Sequence, residues 1–185
     1  MTMLADLKSF LGLTLDEQTA FNDVLDMILD SVIVEADRYM GLKYFATVNG
    51  ATEKFDGFQA IFSLGYANVN VLSFTLVVEG ETEEVVSSDY YIVNAARGIV
   101  KVRSNELQVG RDSVHIKYSG GYGEDAAPSD LRFKVIKQAS YEFRRRKDPG
   151  LSGVRYPDGS VSKYEVSEWL PDVEEVLNRY RRILL

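Results

Sequence analysis

The sequence predicts an α+β chain: a helical bundle formed by N- and C-terminal helices, with an antiparallel β module inserted between them. Three observations carry this expectation. Helical apolar spacing occupies the first 40 residues, alternation broken by turn residues follows from about Tyr44, and helical spacing returns after Pro128.

Thr2 is placed to cap a first helix in which Leu4, Leu7 and Leu11 recur at helical spacing, with Gly12 where it should stop. Thr14 with Glu17 three residues on forms a capping box. Beyond it Phe21, Val24, Leu25, Ile28, Val32 and Ala36 define one apolar face of a helix expected to reach about Met40. Residues 1–43 are thus expected to form a helical hairpin.

Residues 44–126 read as the β module, with turns at Asn49-Gly50, Asp56-Gly57 and Glu79-Gly80. Strands are expected at about 44–48, 52–55, 59–64, 69–78, 84–93, 98–103 and 113–119. In the last, Val114, Ile116 and Tyr118 share one face, and Ser113, His115 and Lys117 the other. One side of the sheet should be buried and the other wet.

Residues 127–147 form the next segment, where Pro128-Ser129-Asp130 offers an N-cap. The helix carries Leu131, Val135, Ile136, Ala139 and Phe143 inside, and is expected to pack on the N-terminal helices. It ends in a basic cluster, Arg144, Arg145, Arg146 and Lys147, which also complements the helix dipole. Residues 148–185 are expected to be a mobile arm over the Gly-, Pro- and Ser-rich stretch 148–166, then an amphipathic helix. That helix starts at Pro171 and carries Val173, Val176, Leu177, Tyr180 and Leu184.

Composition narrows the function classes. The chain of 185 residues is 45% hydrophobic and has no cysteine, which removes disulfides, thiolate nucleophiles and thiolate zinc sites. No apolar run approaches the roughly 20 residues of a membrane span, so a chain made and used in solution, without export or membrane contact, is expected. The net charge of −7 is uneven: an acidic body precedes a basic end. Such a surface is unsuited to gripping phosphates broadly.

Catalytic constellations are sparse. The single histidine, His115, falls on the polar face of its strand. Glu79, Glu81, Glu83 and Glu84 surround a turn without calcium-loop spacing. Gly120, Gly121 and Gly123 lack the Lys-Ser/Thr ending of a phosphate loop. No catalytic residue, metal or cofactor is expected, and the chain is read as a non-enzyme. Trp169, the only tryptophan, precedes the last helix and is a candidate interface anchor.

A resemblance adds to this. Phe55-Asp56-Gly57, Tyr91-Ile92-Val93-Asn94, Gly98-Ile99, Tyr118-Ser119-Gly120-Gly121-Tyr122 and Pro128-Ser129-Asp130-Leu131 occur in that order, ahead of a helix ending in Tyr and Arg. In order and type they resemble the head-tail connector family of long-tailed double-stranded DNA bacteriophages, also called adaptor or head-completion proteins. The resemblance covers about residues 15–146, and more loosely 170–183.

It implies a structural virion protein at the head-tail junction, made in the host cytoplasm and assembled as a dodecameric ring beneath the portal protein. DNA passes through such a ring as cargo, and the next neck or tail-completion protein attaches to it. The C-terminal segment would reach the portal through Trp169, Leu170, Val173, Val176, Leu177, Tyr180, Arg181 and Arg182, aided by the basic cluster. The acids Asp16, Asp23, Asp26 and Asp30 would face the bore. Removing everything after Asp148 should then leave a folded chain that no longer docks. The competing expectations are a hexameric tail-completion or neck protein and, further off, a carboxylate-based enzyme.

Overall fold

The structure is a computed structural model that describes residues 2–77, 84–103, 110, 112–146, 153–155, 161–163 and 169–182, with backbone alone at 84, 153–155 and 161–163. It mixes helices with antiparallel sheets, as an α+β chain should. The chain divides into two units, one of residues 1–36 and 128–180, the other of 37–127 and 181–185.

The first unit is helical. Helix α1 (Met3–Leu11) starts where the Thr2 hydroxyl accepts from the Ala5 amide, and stops at Gly12, whose φ of +67° suits glycine. Helix α2 (Leu15–Ala20) opens with the expected capping box between Thr14 and Glu17.

The single helix expected from Thr14 to Met40 is in fact two. The chain leaves helical geometry at Phe21 and resumes as α3 (Asn22–Met40). The break has a packing reason: the Phe21 ring meets Phe143 edge-on at 5.4 Å and lies beneath the Arg146 guanidinium. It also resets the buried face. Leu25, Leu29, Val32, Ile33 and Ala36 are buried, while Val24, expected inside, is 40% exposed and Ile28 is half-buried.

Helix α4 (Ser129–Arg145) buries Leu131, Val135, Ile136, Ala139 and Phe143 as its spacing predicts, and Gln138 and Ser140 besides. Its start differs from expectation. Pro128 occupies the cap position, where its ring offers no acceptor, and the Asp130 carboxylate accepts from the Tyr180 hydroxyl at 2.6 Å. Helix α1 lies against α4 through the Asp6–Arg132 ion pair and an edge contact between Phe10 and Phe133. Helix α5 (Pro171–Tyr180) buries Val173, Val176 and Leu177.

The second unit holds two antiparallel sheets. The first has the order β1 (Val48–Phe55), β7 (Val114–Gly120), β3 (Asn70–Leu76), β4 (Glu84–Val85); the second runs β2 (Ile61–Ser63), β6 (Ile99–Val102), β5 (Tyr91–Asn94). Phe62 and Val100 from the smaller sheet join Phe74, Val114, Ile116 and Tyr118 from the larger in one core. Hydrophobic alternation thus selects the register on both sides.

Several strand expectations are corrected. Most of the expected strand 44–48 is not strand: β1 begins at Val48 and continues through 52–55, with Asn49-Gly50 a bulge within it, between Val48 and Ala51, and Gly50 at φ +74°. The run 84–93 breaks at a 3₁₀ turn, Ser88–Tyr90, where the Ser87 hydroxyl accepts from the Asp89 amide. Ser113 is 3% exposed rather than wet, because it precedes β7 and its hydroxyl donates to the Gly110 carbonyl. The Gly120-Gly121 turn is tight for a plain reason: Gly121 has φ +83°, and a Cβ there would sit 1.8 Å from the Ala46 oxygen.

Within 148–166 two short strands, β8 (Gly153–Arg155) and β9 (Val161–Lys163), pair antiparallel where a loop is expected. Each contributes a valine to a three-residue run too short for periodicity to reveal.

Candidate functional site

Helix α5 and the residues that hold it are the part of the chain to which sequence reasoning assigns docking. The structure ties that helix into its own unit. Leu170 precedes its first turn, and its carbonyl accepts from the Val173 and Glu174 amides, both at 2.9 Å. The Leu170 amide in turn donates to the Gln138 side-chain oxygen at 3.1 Å. Gln138 is buried, and its amide nitrogen donates to Glu142 at 3.0 Å, so both ends of the side chain are used. Burial raises the Glu142 carboxyl pKa, with the nearby Glu35 charge adding to the effect and the Gln138 hydrogen bond opposing it.

A second tie lies one turn away. Lys134 and Lys137, three residues apart on α4, both reach the Asp172 carboxylate at 2.6 Å. Their hydrogen bonds hold the Asp172 pKa down at about 2. The Tyr180 hydroxyl on Asp130 fastens the other end of α5.

These ties decide what the expected docking residues can do. Trp169, Val173, Val176 and Leu177 are each at most 5% exposed, so their side chains are covered by this chain itself. An amphipathic stripe is equally the signature of intramolecular packing, and α4 supplies the matching surface. Leu170 and Tyr180 are half-buried, and Arg181 is exposed, its guanidinium 5.3 Å from the Tyr39 ring. Arg182 belongs to the second unit, where its amide donates to the Met40 carbonyl and its guanidinium to the Leu64 carbonyl at 2.6 Å. Burial lowers its pKa, against the favourable charge of Glu53.

The three described members of the basic cluster differ in exposure and in what they touch. Arg144 is exposed, whereas Arg145 bonds the Tyr141 hydroxyl at 3.0 Å and lies over its ring. Arg146 caps its own helix at the Phe143 carbonyl and covers the Phe143 and Phe21 rings. Lys147 lies outside the described residues. The acids Asp16, Asp23, Asp26 and Asp30 are all exposed on α2 and α3.

In the β unit the Glu53 carboxylate accepts from the Tyr118 hydroxyl and from the Gly65 amide at 3.0 Å. Burial, then the Glu53 hydrogen bond, pushes the Tyr118 hydroxyl pKa well up. Asp37 accepts from the Tyr44 amide at 2.9 Å, and burial raises its pKa to about 6. Neither carboxylate stands out in the sequence. The signal was weak, since each is one acid among many and its partner lies in another element.

His115 is half-buried, with Nε2 3.1 Å from the Asp112 carbonyl. Of the acidic turn, Glu79, Glu81 and Glu83 lie outside the described residues, and so does the side chain of Glu84. Among the described residues no three metal-ligating side chains converge, and no helix is long and apolar enough to cross a membrane. A shallow depression beside α1, lined by Thr2, Lys8, Ser9 and Gln18 among others, carries Lys8 as its ionisable group. That lysine donates to Asn22 at 2.6 Å.

No protein-family model matches the sequence, and no curated protein matches it. Solved structures do match in fold. A chain from the neck of an empty gene transfer agent particle, computed with C6 symmetry, aligns with a TM-score of 0.61 at 19% identity, over 98% of this chain and 90% of that one. A chain from the virion of the native gene transfer agent particle gives 0.59 at 18% identity, again over 98% and 90%. A chain from the neck of the native particle, computed with C12 symmetry, gives 0.52 at 17% over 91% and 89%. At these identities the likeness is one of fold, and it spans both units.

Proposed function

We propose that this chain is a structural neck protein of a phage-like particle, a head-tail connector that forms a ring beneath the portal. DNA passes through the ring, and the next neck or tail-completion protein attaches to its far side. The observation that carries the reading is the near-complete fold match to chains of gene transfer agent particles, two of them taken from the neck. The ordered connector-like motifs support it independently, since they rest on residue type and order alone.

A ring subunit works by association, not by reaction. Each copy presents one surface to a different surface of its neighbour, and the contact repeats until the rotation closes. The acidic body fits a conduit, because carboxylates repel passing phosphates over about 8 Å at physiological salt. Portal docking falls on residues that stay at the surface, Arg144 and Arg181 among them, rather than on the buried stripe of α5. Exposed ion pairs of this kind contribute only about 0 to 1 kcal/mol each, so docking draws its strength from repetition around the ring.

The neck structures were computed with both C6 and C12 symmetry, which keeps a hexameric neck or tail-completion protein as the second reading. Deleting the gene tests the shared claim. DNA-filled heads and free tails that fail to join support a neck role, whereas intact, infectious particles overturn it.

A further inference from the structure

The chain carries two exposed apolar surfaces of opposite charge character, one in each unit. On α3, Val24, Met27 and Val34 are 40%, 73% and 55% exposed. At about 100° per residue they fall on one stripe nearly opposite the buried face of Leu25, Leu29, Val32 and Ala36. Asp23, Asp26 and Asp30, all exposed, run along one flank of that stripe. A helix needs one apolar face to pack in its own unit, and this is a second one.

The other surface is the outer face of the three-stranded sheet. Register places Ile61 and Ile92 on either side of Lys101, while the alternate row, Phe62, Val100 and Val93, turns inward. Ile61 and Ile92 are 47% and 53% exposed, and Tyr90, beside Arg103, is 59% exposed. Lys101 and Arg103 both project from this face and are exposed. One surface is therefore apolar with a flank of acids, with Arg38 at its C-terminal end, and the other is apolar with cations.

Building on the ring reading above, we infer that the α3 stripe of one copy docks on the outer face of the β2-β6-β5 sheet of the next copy. Two unlike, complementary surfaces on one chain are what a heterologous contact requires, and such a contact propagates into a ring where its rotation closes. Apolar contact between Met27, Val34, Ile61 and Ile92 would supply the affinity. Asp26 and Asp30 against Lys101 and Arg103 would set partner choice and rate. The α3 acids then serve the subunit contact rather than the bore.

The absence of cysteine makes cross-linking a clean test. Two full-length variants, Met27→Cys and Ile92→Cys, are mixed under mild oxidation at high protein concentration. Each is also oxidised alone, and Met27→Cys is oxidised with a Lys117→Cys control. The expected result is a disulfide-linked dimer in the 27/92 mixture, formed about tenfold faster than in any control. Adding Lys101→Glu and Arg103→Glu to the Ile92→Cys chain should slow it by a similar factor, and Asp26→Lys with Asp30→Lys on the other chain should restore it. Matching far-UV spectra confirm that every variant is folded. Linkage of 27 to 27 at the same rate, or no preference for 27/92, overturns the inference. Electron microscopy of the wild-type protein is read in parallel: rings without 27/92 linkage overturn this contact and leave the ring reading standing.

Discussion

The Gln138 side-chain oxygen accepts the Leu170 amide hydrogen at 3.1 Å, and this bond fixes where the last helix begins. The two residues are 32 positions apart, yet the bond satisfies a backbone donor just ahead of the first turn of α5, where no intrahelical acceptor exists. Gln138 is buried and Leu170 half-buried, so losing the side-chain oxygen leaves a partly buried amide without its partner.

Gln138→Leu should accordingly lower stability by about 1–3 kcal/mol, the cost of leaving a buried polar group unpaired. Trp169, adjacent to Leu170 and 5% exposed, reports on the same place. Urea unfolding followed by its fluorescence should show an earlier midpoint and a red-shifted native spectrum. An unchanged midpoint would mean that the bond does not hold α5.

Leu177→Ala should cost about 2–5 kcal/mol, because the side chain is fully buried. Arg144→Ala, on an exposed side chain, should stay within about 0.5 kcal/mol. This reverses the expectation for truncation: removing residues after Asp148 takes away core side chains and should yield a destabilised protein. A truncated chain as stable as the whole, by thermal melting, would show that α5 packs elsewhere.

Asp37 gives a pH signature. Its carboxyl titrates at about 6 in the fold, against an ordinary value of 3.8, because burial disfavours the charge. Between those values the folded state binds more protons than the unfolded one, so this group's contribution to stability falls as pH rises from about 4 to about 6. The loss is of order 2–3 kcal/mol. Asp37→Asn retains an acceptor for the Tyr44 amide and should flatten the slope. A slope unchanged in the variant would assign it to other groups.

Asp172 works in the opposite sense. With its pKa held at about 2, the stabilisation from Lys134 and Lys137 is complete above about pH 4 and is lost as pH falls through about 2. The side chain is 40% exposed, so water screens the pair and Asp172→Asn should cost less than about 1 kcal/mol near neutrality. A larger loss would mark the pair as more buried than it is here.

Much of the helical unit was legible because its signals are local. The Thr14–Glu17 box, Gly12 as a stop, the start at Pro171 and the five apolar positions of α4 all follow from neighbours within four residues. The break at Phe21 was not legible, since nothing nearby interrupts helical spacing and the cause is a ring contact with Phe143, far along the chain. The Asn49-Gly50 bulge misled for a related reason: the same dipeptide serves a turn or an extra residue in a strand, and pairing with β7 decides which.

The docking surface was the least legible part. A stripe such as Val173, Val176 and Leu177 reports that something covers it, and only the facing side chains of α4 reveal what. Conversely, the exposed stripe of Val24, Met27 and Val34 was hidden in the sequence, because Val24 also fits the buried face when the helix is counted from Phe21.

Imaging of assembled particles that carry the tagged chain tests the central claim most directly. The account predicts density for the tag in a closed ring at the head-tail junction, at twelve copies, with the bore open along the particle axis. A tag found only in soluble protein, or spread over the capsid or tail tube with no ring at the neck, would contradict it.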